Sequence, residues 1–150
     1  MIYRILAINP GSTSTKIAVY DNEKQILVKS IDHKVEDLEK YDKVQEQFEM
    51  RKEKVLKALK ENNIKLDSLS AIVGRGGLLL PVKSGAYLVN DEMIDRLINK
   101  PVLEHASNLG AIISYEISKN LGINAYIYDS VSVDELTDVA RLSGVNGMDR

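Results

Sequence analysis

Seven consecutive small or turn-forming residues, Asn9-Pro10-Gly11-Ser12-Thr13-Ser14-Thr15, interrupt the apolar start of this chain, and Lys16 follows them. On one side lies IYRILAI (2–8) and on the other TKIAVYD (15–21). Both runs are short and rich in β-branched or apolar residues, so both are expected strands. A third, QILVKSI (25–31), follows Asp21 and Asn22, whose side chains bond the local backbone in turns. Three strands joined by tight turns form an antiparallel meander. That opening excludes two common phosphate-binding arrangements. The P-loop lysine is followed by a helix, whereas the residues after Lys16 read as strand, and no GxGxxG opens a helix here.

Beyond the meander the period changes. Val44, Phe48, Val55 and Leu59 recur at helical spacing within 41–63, and the charges between them read as a solvated face. LSAIVG (69–74) is an expected buried strand running into Gly74-Arg75-Gly76-Gly77, and AYLVN (86–90) an edge segment. DEMIDRLIN (91–99) is a short helix with acidic residues in its first turn. A helix over 107–120 turns Leu109, Ile112, Ile113 and Ile117 inward and stops at Gly122. INAYIYD (123–129) is a last strand closing on Asp129, and VDELTDVARLSG is expected as one or two short helical pieces. The final residues, VARLSGVNGMDR, are neither a capped helix end nor a polar tail, so either a terminal helix is finishing or the chain begins something longer. The order β-β-β-α-β-(β)-α-α-β-α predicts one α/β domain with a mixed sheet.

Composition narrows the partners. With 20 Lys and Arg against 22 Asp and Glu, the net charge of -2 gives no pull toward nucleic acid or an anionic membrane. Aromatic residues are 5% of the chain and scattered, too sparse to stack bases. There is no cysteine, so neither disulfides nor thiolate metal sites arise. The first apolar run breaks at Pro10, short of a signal sequence, and the expected setting is soluble and cytoplasmic.

The polar loop is the first candidate site. Gly11 allows a ligand close to the backbone or a positive φ. Successive N–H groups in such a turn form an anion-binding concavity, the hydroxyls of Ser12, Thr13 and Ser14 add donors, and Lys16 adds charge. The competing reading is a plain hairpin turn. Arg75, between glycines, offers an unscreened guanidinium fork for a carboxylate or phosphoryl group. His105 precedes a helix, where a capping role competes with a chemical one, and His33 receives no role.

Asn-x-Gly-Ser-Thr-Ser-x-Lys after an amino-terminal strand resembles the first phosphate motif of the acetate kinase/butyrate kinase family, part of the sugar-kinase, heat-shock-chaperone and actin superfamily. AIVGRGGLLLPV (71–82), EHASNLGAIISYEI (104–117) and AYIYDSVSVDEL (125–136) resemble the butyrate kinase branch in particular. Acetate kinases carry a differently spaced Arg-Val-Val-His-Gly-Gly at the first of these. The resemblance implies a ribonuclease-H-like mixed sheet flanked by helices, and residues 1–150 as the amino-terminal domain of a two-domain kinase. ATP would sit in the cleft toward a second domain absent here, so the 150 residues alone are expected to be inactive.

It further implies transfer of the γ-phosphate between ATP and a short-chain fatty acid, butyrate or a branched analogue, to give an acyl phosphate. Asn9, Gly11, Ser12, Thr13, Ser14 and Lys16 would hold the ATP phosphates. Arg75 and Asp129 would be catalytic, with Asp129 and Asn9 toward Mg²⁺. Gly76, Gly77, His105 and Asn108 would face the acid. Leu80 stands where butyrate kinases often carry a basic residue, which changes that rim's polarity. A homo-oligomer is implied as well. Three other readings stay open: a regulatory nucleotide-binding module, a sugar kinase-like domain whose hydroxyl substrate needs a base, or a folded interaction fragment.

Overall fold

The computed structural model of the chain describes residues 1–149, so the expectation for the chain's end reaches one residue, Arg150, outside them. The meander forms as expected, with β1 (Arg4–Pro10), β2 (Ser14–Asp21) and β3 (Lys24–Asp32). Asn9 and Pro10 belong to β1 rather than to the loop, and pair with Lys16 and Thr15. Proline lacks an N–H, which β1 can spare at Pro10 because its pairing with β4 stops at Ile8. α1 (Val35–Leu38) and a 3₁₀ turn (Val44–Gln47) precede α2 (Phe48–Glu61). The helix expected over 41–63 is therefore shorter, stopped by Asn62 and by Asn63 in the left-handed region at φ 58°.

β4 (Ala71–Arg75), β5 (Tyr87–Leu88), α3 (Asp91–Asn99), α4 (Asn108–Leu121) and β6 (Asn124–Tyr128) follow. α3 is capped by the Asn90 side chain, which accepts from the Met93 N–H, and α4 ends on left-handed Gly122. The sheet order is β3-β2-β1-β4-β6-β5, with β1, β4 and β6 parallel and the rest antiparallel. This is the arrangement expected of a ribonuclease-H-like core.

One correction concerns the chain's end. After α5 (Asp138–Arg141), Leu142, Ser143 and Gly144, expected to be helical, instead begin β7 (Leu142–Val145), which pairs in a hairpin with β8 (Met148–Asp149). Gly144 and Gly147 both take positive φ, which a helix does not accommodate, and Asn146-Gly147 is a strong hairpin-turn pair.

Strand alternation places the core. Leu6, Ile8, Ile17, Val19, Ile72, Ala125 and Ile127 point to one face and pack with Val55 and Leu59 of α2 and Leu109, Ile113 and Ile117 of α4. On the opposite face a row crosses the sheet from Val28 through Ala18, Ala7 and Val73 to Tyr126, and Val28 is 56% exposed. α4 packs over β1, β4 and β6, and it does so at very close range. A Cβ on Gly74 of β4 would lie 2.3 Å from the Gly110 carbonyl oxygen of α4. Two facing glycines thus bring strand and helix backbones together where the site lies. Among the described residues no helix is long and apolar enough to cross a membrane.

Candidate functional site

β1 and β4 run parallel, so their carboxyl ends open on the same side of the sheet, where ligands of open α/β sheets gather. There Asn9 from β1, Ser14 and Lys16 from β2, Arg75 and Gly76 at the end of β4, and His105 and Ser107 ahead of α4 line a pocket of about 270 Å³. Pro10, Gly11 and Val131 complete the wall. No carboxylate is among the lining residues, and Lys16 and Arg75 make the pocket positive. Such a lining suits an anion. A larger open depression of about 680 Å³, with Leu56, Lys60 and Ile64 on its wall, lies at the carboxyl end of α2 and shares no residue with it.

The hairpin loop is shorter than its composition suggests, only residues 11–13 between β1 and β2. The Gly11 N–H closes it on the Ser14 carbonyl at 2.7 Å. Gly11 does not adopt a positive φ, and a Cβ there would meet the Ser14 carbonyl oxygen at 3.4 Å, an ordinary contact. Ser12 and Thr13 are exposed and outside the pocket wall.

Arg75 leaves β4 with its side chain 55% exposed, and its Nε donates to Asp129 Oδ2 at 2.9 Å. Asp129 follows β6 in the left-handed region at φ 53° and is 60% exposed. The two candidate catalytic residues therefore meet, but Asp129 stands at the rim rather than on the wall. An exposed pair of this kind contributes about 0–1 kcal/mol of stability, so little holds it against a better partner.

His105 is fixed by its neighbour two residues on. The Ser107 N–H donates to Nδ1 at 3.2 Å, with Ser107 Oγ 2.8 Å from the same nitrogen. Nδ1 is thus an acceptor, and the proton of the neutral ring sits on Nε2. Asn108 does not reach the pocket. It is 1% exposed, its Oδ1 accepts from the Leu78 N–H at 2.8 Å, and its Nδ2 donates to the Leu103 carbonyl at 2.9 Å. Gly77, at φ 104°, also lies off the wall, and its carbonyl accepts from Ser130 Oγ at 2.6 Å. Ser132 Oγ donates to the Leu79 carbonyl and accepts from the Leu79 N–H, both at 2.8 Å. The loop after Arg75 is laced down from two sides.

The residue that sequence reasoning missed is Arg51. Assigned to a solvated helix face, it is 0% exposed and sits on the buried stripe of α2 with Val55 and Leu59. The signal was its spacing, three after Phe48 and four before Val55. His33, given no role, is also buried, with Nε2 2.8 Å from Thr15 Oγ1. Lys54 Nζ donates to its Nδ1 at 3.5 Å, so Nε2 carries the proton toward Thr15. Burial first, then the charges of Arg51 and Lys54, push its pKa down to about 4.

For a metal, no three His, Asp or Glu side chains gather among the described residues. Asn9 lines the pocket and Asp129 stands at its rim, accepting from Arg75.

No family model matches the chain. The chain is 52% identical over 149 residues to butyrate kinase 1 of Clostridium acetobutylicum and 49% identical over 150 residues to butyrate kinase 2 of that organism. These matches take in 99% and 100% of the chain but 42% of each relative. The chain therefore spans less than half the length of the curated relatives it matches. Among solved structures, the acetate kinase of Entamoeba histolytica superposes over 96% of the chain and 40% of its own, with a TM-score of 0.51 at 13% identity, a likeness of fold. By sequence the chain is similar to two butyrate kinases, and its fold resembles that of an acetate kinase.

Proposed function

We propose that these residues form one domain of a two-domain, ATP-dependent carboxylate kinase that moves the γ-phosphate between ATP and a short-chain fatty acid such as butyrate. The observation that carries the reading is the positive, carboxylate-free pocket where Asn9, Gly11, Ser14, Lys16, Arg75 and His105 converge. Identity near one half with two butyrate kinases over the whole chain supports the choice of acid.

Phosphoryl transfer is mostly positioning and charge stabilisation. The acid is ionised at neutral pH and needs no base to become a nucleophile. Lys16 and the loop N–H groups hold the phosphate chain. Arg75 turns its fork from Asp129 to the equatorial oxygens of the group in flight, where a planar bidentate donor matches the geometry. His105 offers Nε2–H to the same charge. Asp129 and Asn9 are the oxygen donors assigned to Mg²⁺, which supplies charge neutralisation at the phosphates when bound. The adenosine pocket and the remaining charges belong to the part of the relatives this chain does not match.

The test is acyl phosphate formation, trapped as the hydroxamate, by a protein of the relatives' full length over a panel of carboxylic acids. Butyrate or a branched four- to five-carbon acid should give the highest kcat/KM, and the 150 residues alone should give no product. Turnover of sugars or polyols with none of carboxylic acids would overturn the proposal.

A further inference from the structure

The loop at residues 11–13 is held from behind by one side chain. The Arg51 guanidinium donates through Nη1 to the Gly11 carbonyl at 2.8 Å, the Ser14 carbonyl at 3.3 Å and Thr15 Oγ1 at 3.2 Å. Through Nη2 it donates to the Ser12 carbonyl at 3.0 Å, and through Nη2 and Nε to Gln47 Oε1 at 2.9 and 3.1 Å. Every partner is neutral. No carboxylate pairs with Arg51 among the described residues, although it is fully buried.

Peptide geometry turns this into a statement about the loop's other side. Among the described residues no peptide bond is cis, so each C=O points opposite to the N–H of the next residue. With the Gly11 and Ser12 carbonyls drawn to Arg51, the N–H groups of Ser12 and Thr13 must face away from it. Neither N–H bonds an acceptor among the described residues. The Thr13 carbonyl is held in turn by the His33 N–H at 2.9 Å. The acceptors are turned in and the donors turned out.

We infer that Arg51 is the positioning residue of the loop: it orients the Ser12 and Thr13 N–H groups and sets behind them a positive charge that no carboxylate offsets, so that the loop's affinity for a polyphosphate depends on a side chain that never touches it. This rests on the loop being a phosphate site. The residue acts in two separable ways, through direction and through charge. Substituting Gln47 by Glu keeps an acceptor oxygen against Nε and Nη2 but gives Arg51 a counter-charge, which leaves the geometry and removes the field.

The experiment is titration of this chain with inorganic tripolyphosphate, followed by calorimetry and by the amide resonances of Ser12 and Thr13. In the parent chain both amides should shift together on binding. Gln47→Glu should fold at least as stably and bind about tenfold more weakly. Arg51→Lys, whose ammonium cannot span the same acceptors, should bind more weakly still and uncouple the two amides. If Arg51→Lys does not fold, Gln47→Glu decides alone, because a merely structural brace predicts unchanged affinity there. A Gln47→Glu chain binding as tightly as the parent overturns the inference and leaves the phosphate site standing. A parent chain whose Ser12 and Thr13 amides ignore tripolyphosphate overturns both.

Discussion

Replacing Gly74 by alanine tests the closest contact in the fold. The added Cβ would lie 2.3 Å from the Gly110 carbonyl oxygen, 2.4 Å from its carbon and 2.9 Å from the Ala111 nitrogen. All three are helix backbone, so no side chain can rotate away. Reaching ordinary contact requires β4 and α4 to separate by about 1 Å. α4 cannot yield cheaply, because its residues from Asn108 through Ser114 are all buried. Overpacking a core commonly costs about 1–3 kcal/mol. A backbone clash belongs at the top of that range, so about 3 kcal/mol is expected, a large part of a typical domain stability of roughly 5–15 kcal/mol. With a urea m-value of about 2 kcal/mol/M, the midpoint should fall by ~1.5 M. Gly11→Ala is the control, since its Cβ meets only an ordinary contact at 3.4 Å and should cost under about 1 kcal/mol. Urea unfolding followed by circular dichroism measures both. A Gly74→Ala protein within 1 kcal/mol (roughly the scatter of ordinary surface changes) of the parent refutes the argument, and so does a Gly11→Ala protein that loses more than it.

His33 should make stability fall on acidification. Its folded pKa of about 4 lies below the unfolded value of 6.5, so the unfolded chain takes up the proton first. The contribution is complete above pH 6.5 and declines as pH falls toward 4, by up to ~3 kcal/mol. Subtracting urea midpoints of His33→Asn from the parent across that window should reveal the slope, and parallel curves would rule it out. Arg75→Ala should change stability by less than about 1 kcal/mol, because both it and Asp129 are exposed. In a full-length protein the same change should lower acyl phosphate formation by about 10²–10³, and an unaltered rate would remove Arg75 from the mechanism. Asn108→Ala leaves the part-buried Leu78 N–H without its acceptor and should cost roughly 1 kcal/mol, read by thermal unfolding together with faster hydrogen exchange at Leu78.

Local pattern carried the fold. The meander, the α3 boundaries and the glycine stop of α4 depend on neighbours in the chain, and each could be read from them. The chain's end differs from the helical expectation because Asn146-Gly147 is a hairpin-turn pair, which turns the residues before it into a strand. Asn9, Gly11, Ser14, Lys16, Arg75, Gly76 and His105, picked out from separate motifs, line one pocket. Asn108 was picked for the same wall, yet it spends both ends of its amide on backbone, a use that depends on residues 30 and 5 positions away. Arg51 was hidden by its type. A charged residue on an apolar stripe is ordinarily assigned to solvent, and only the folded loop supplies the carbonyls that let it be buried.

That arrangement ties the loop to the order in which the chain folds. Gly11 and Ser12 meet Arg51 across 40 and 39 residues of sequence, so nothing local fixes their peptides in the unfolded chain. A β1–β2 hairpin formed alone leaves those carbonyls free to swing, and the turn becomes single-valued only when α2 docks. Once docked, Arg51 cannot withdraw without leaving a buried cation bare of partners, which closes off partial opening as a low-energy excursion. The slowest-exchanging part of the loop should therefore share the exchange behaviour of α2 rather than that of the hairpin it sits in. A polyphosphate bound there would meet a surface already ordered, and would spend none of its binding energy on arranging the donors that receive it.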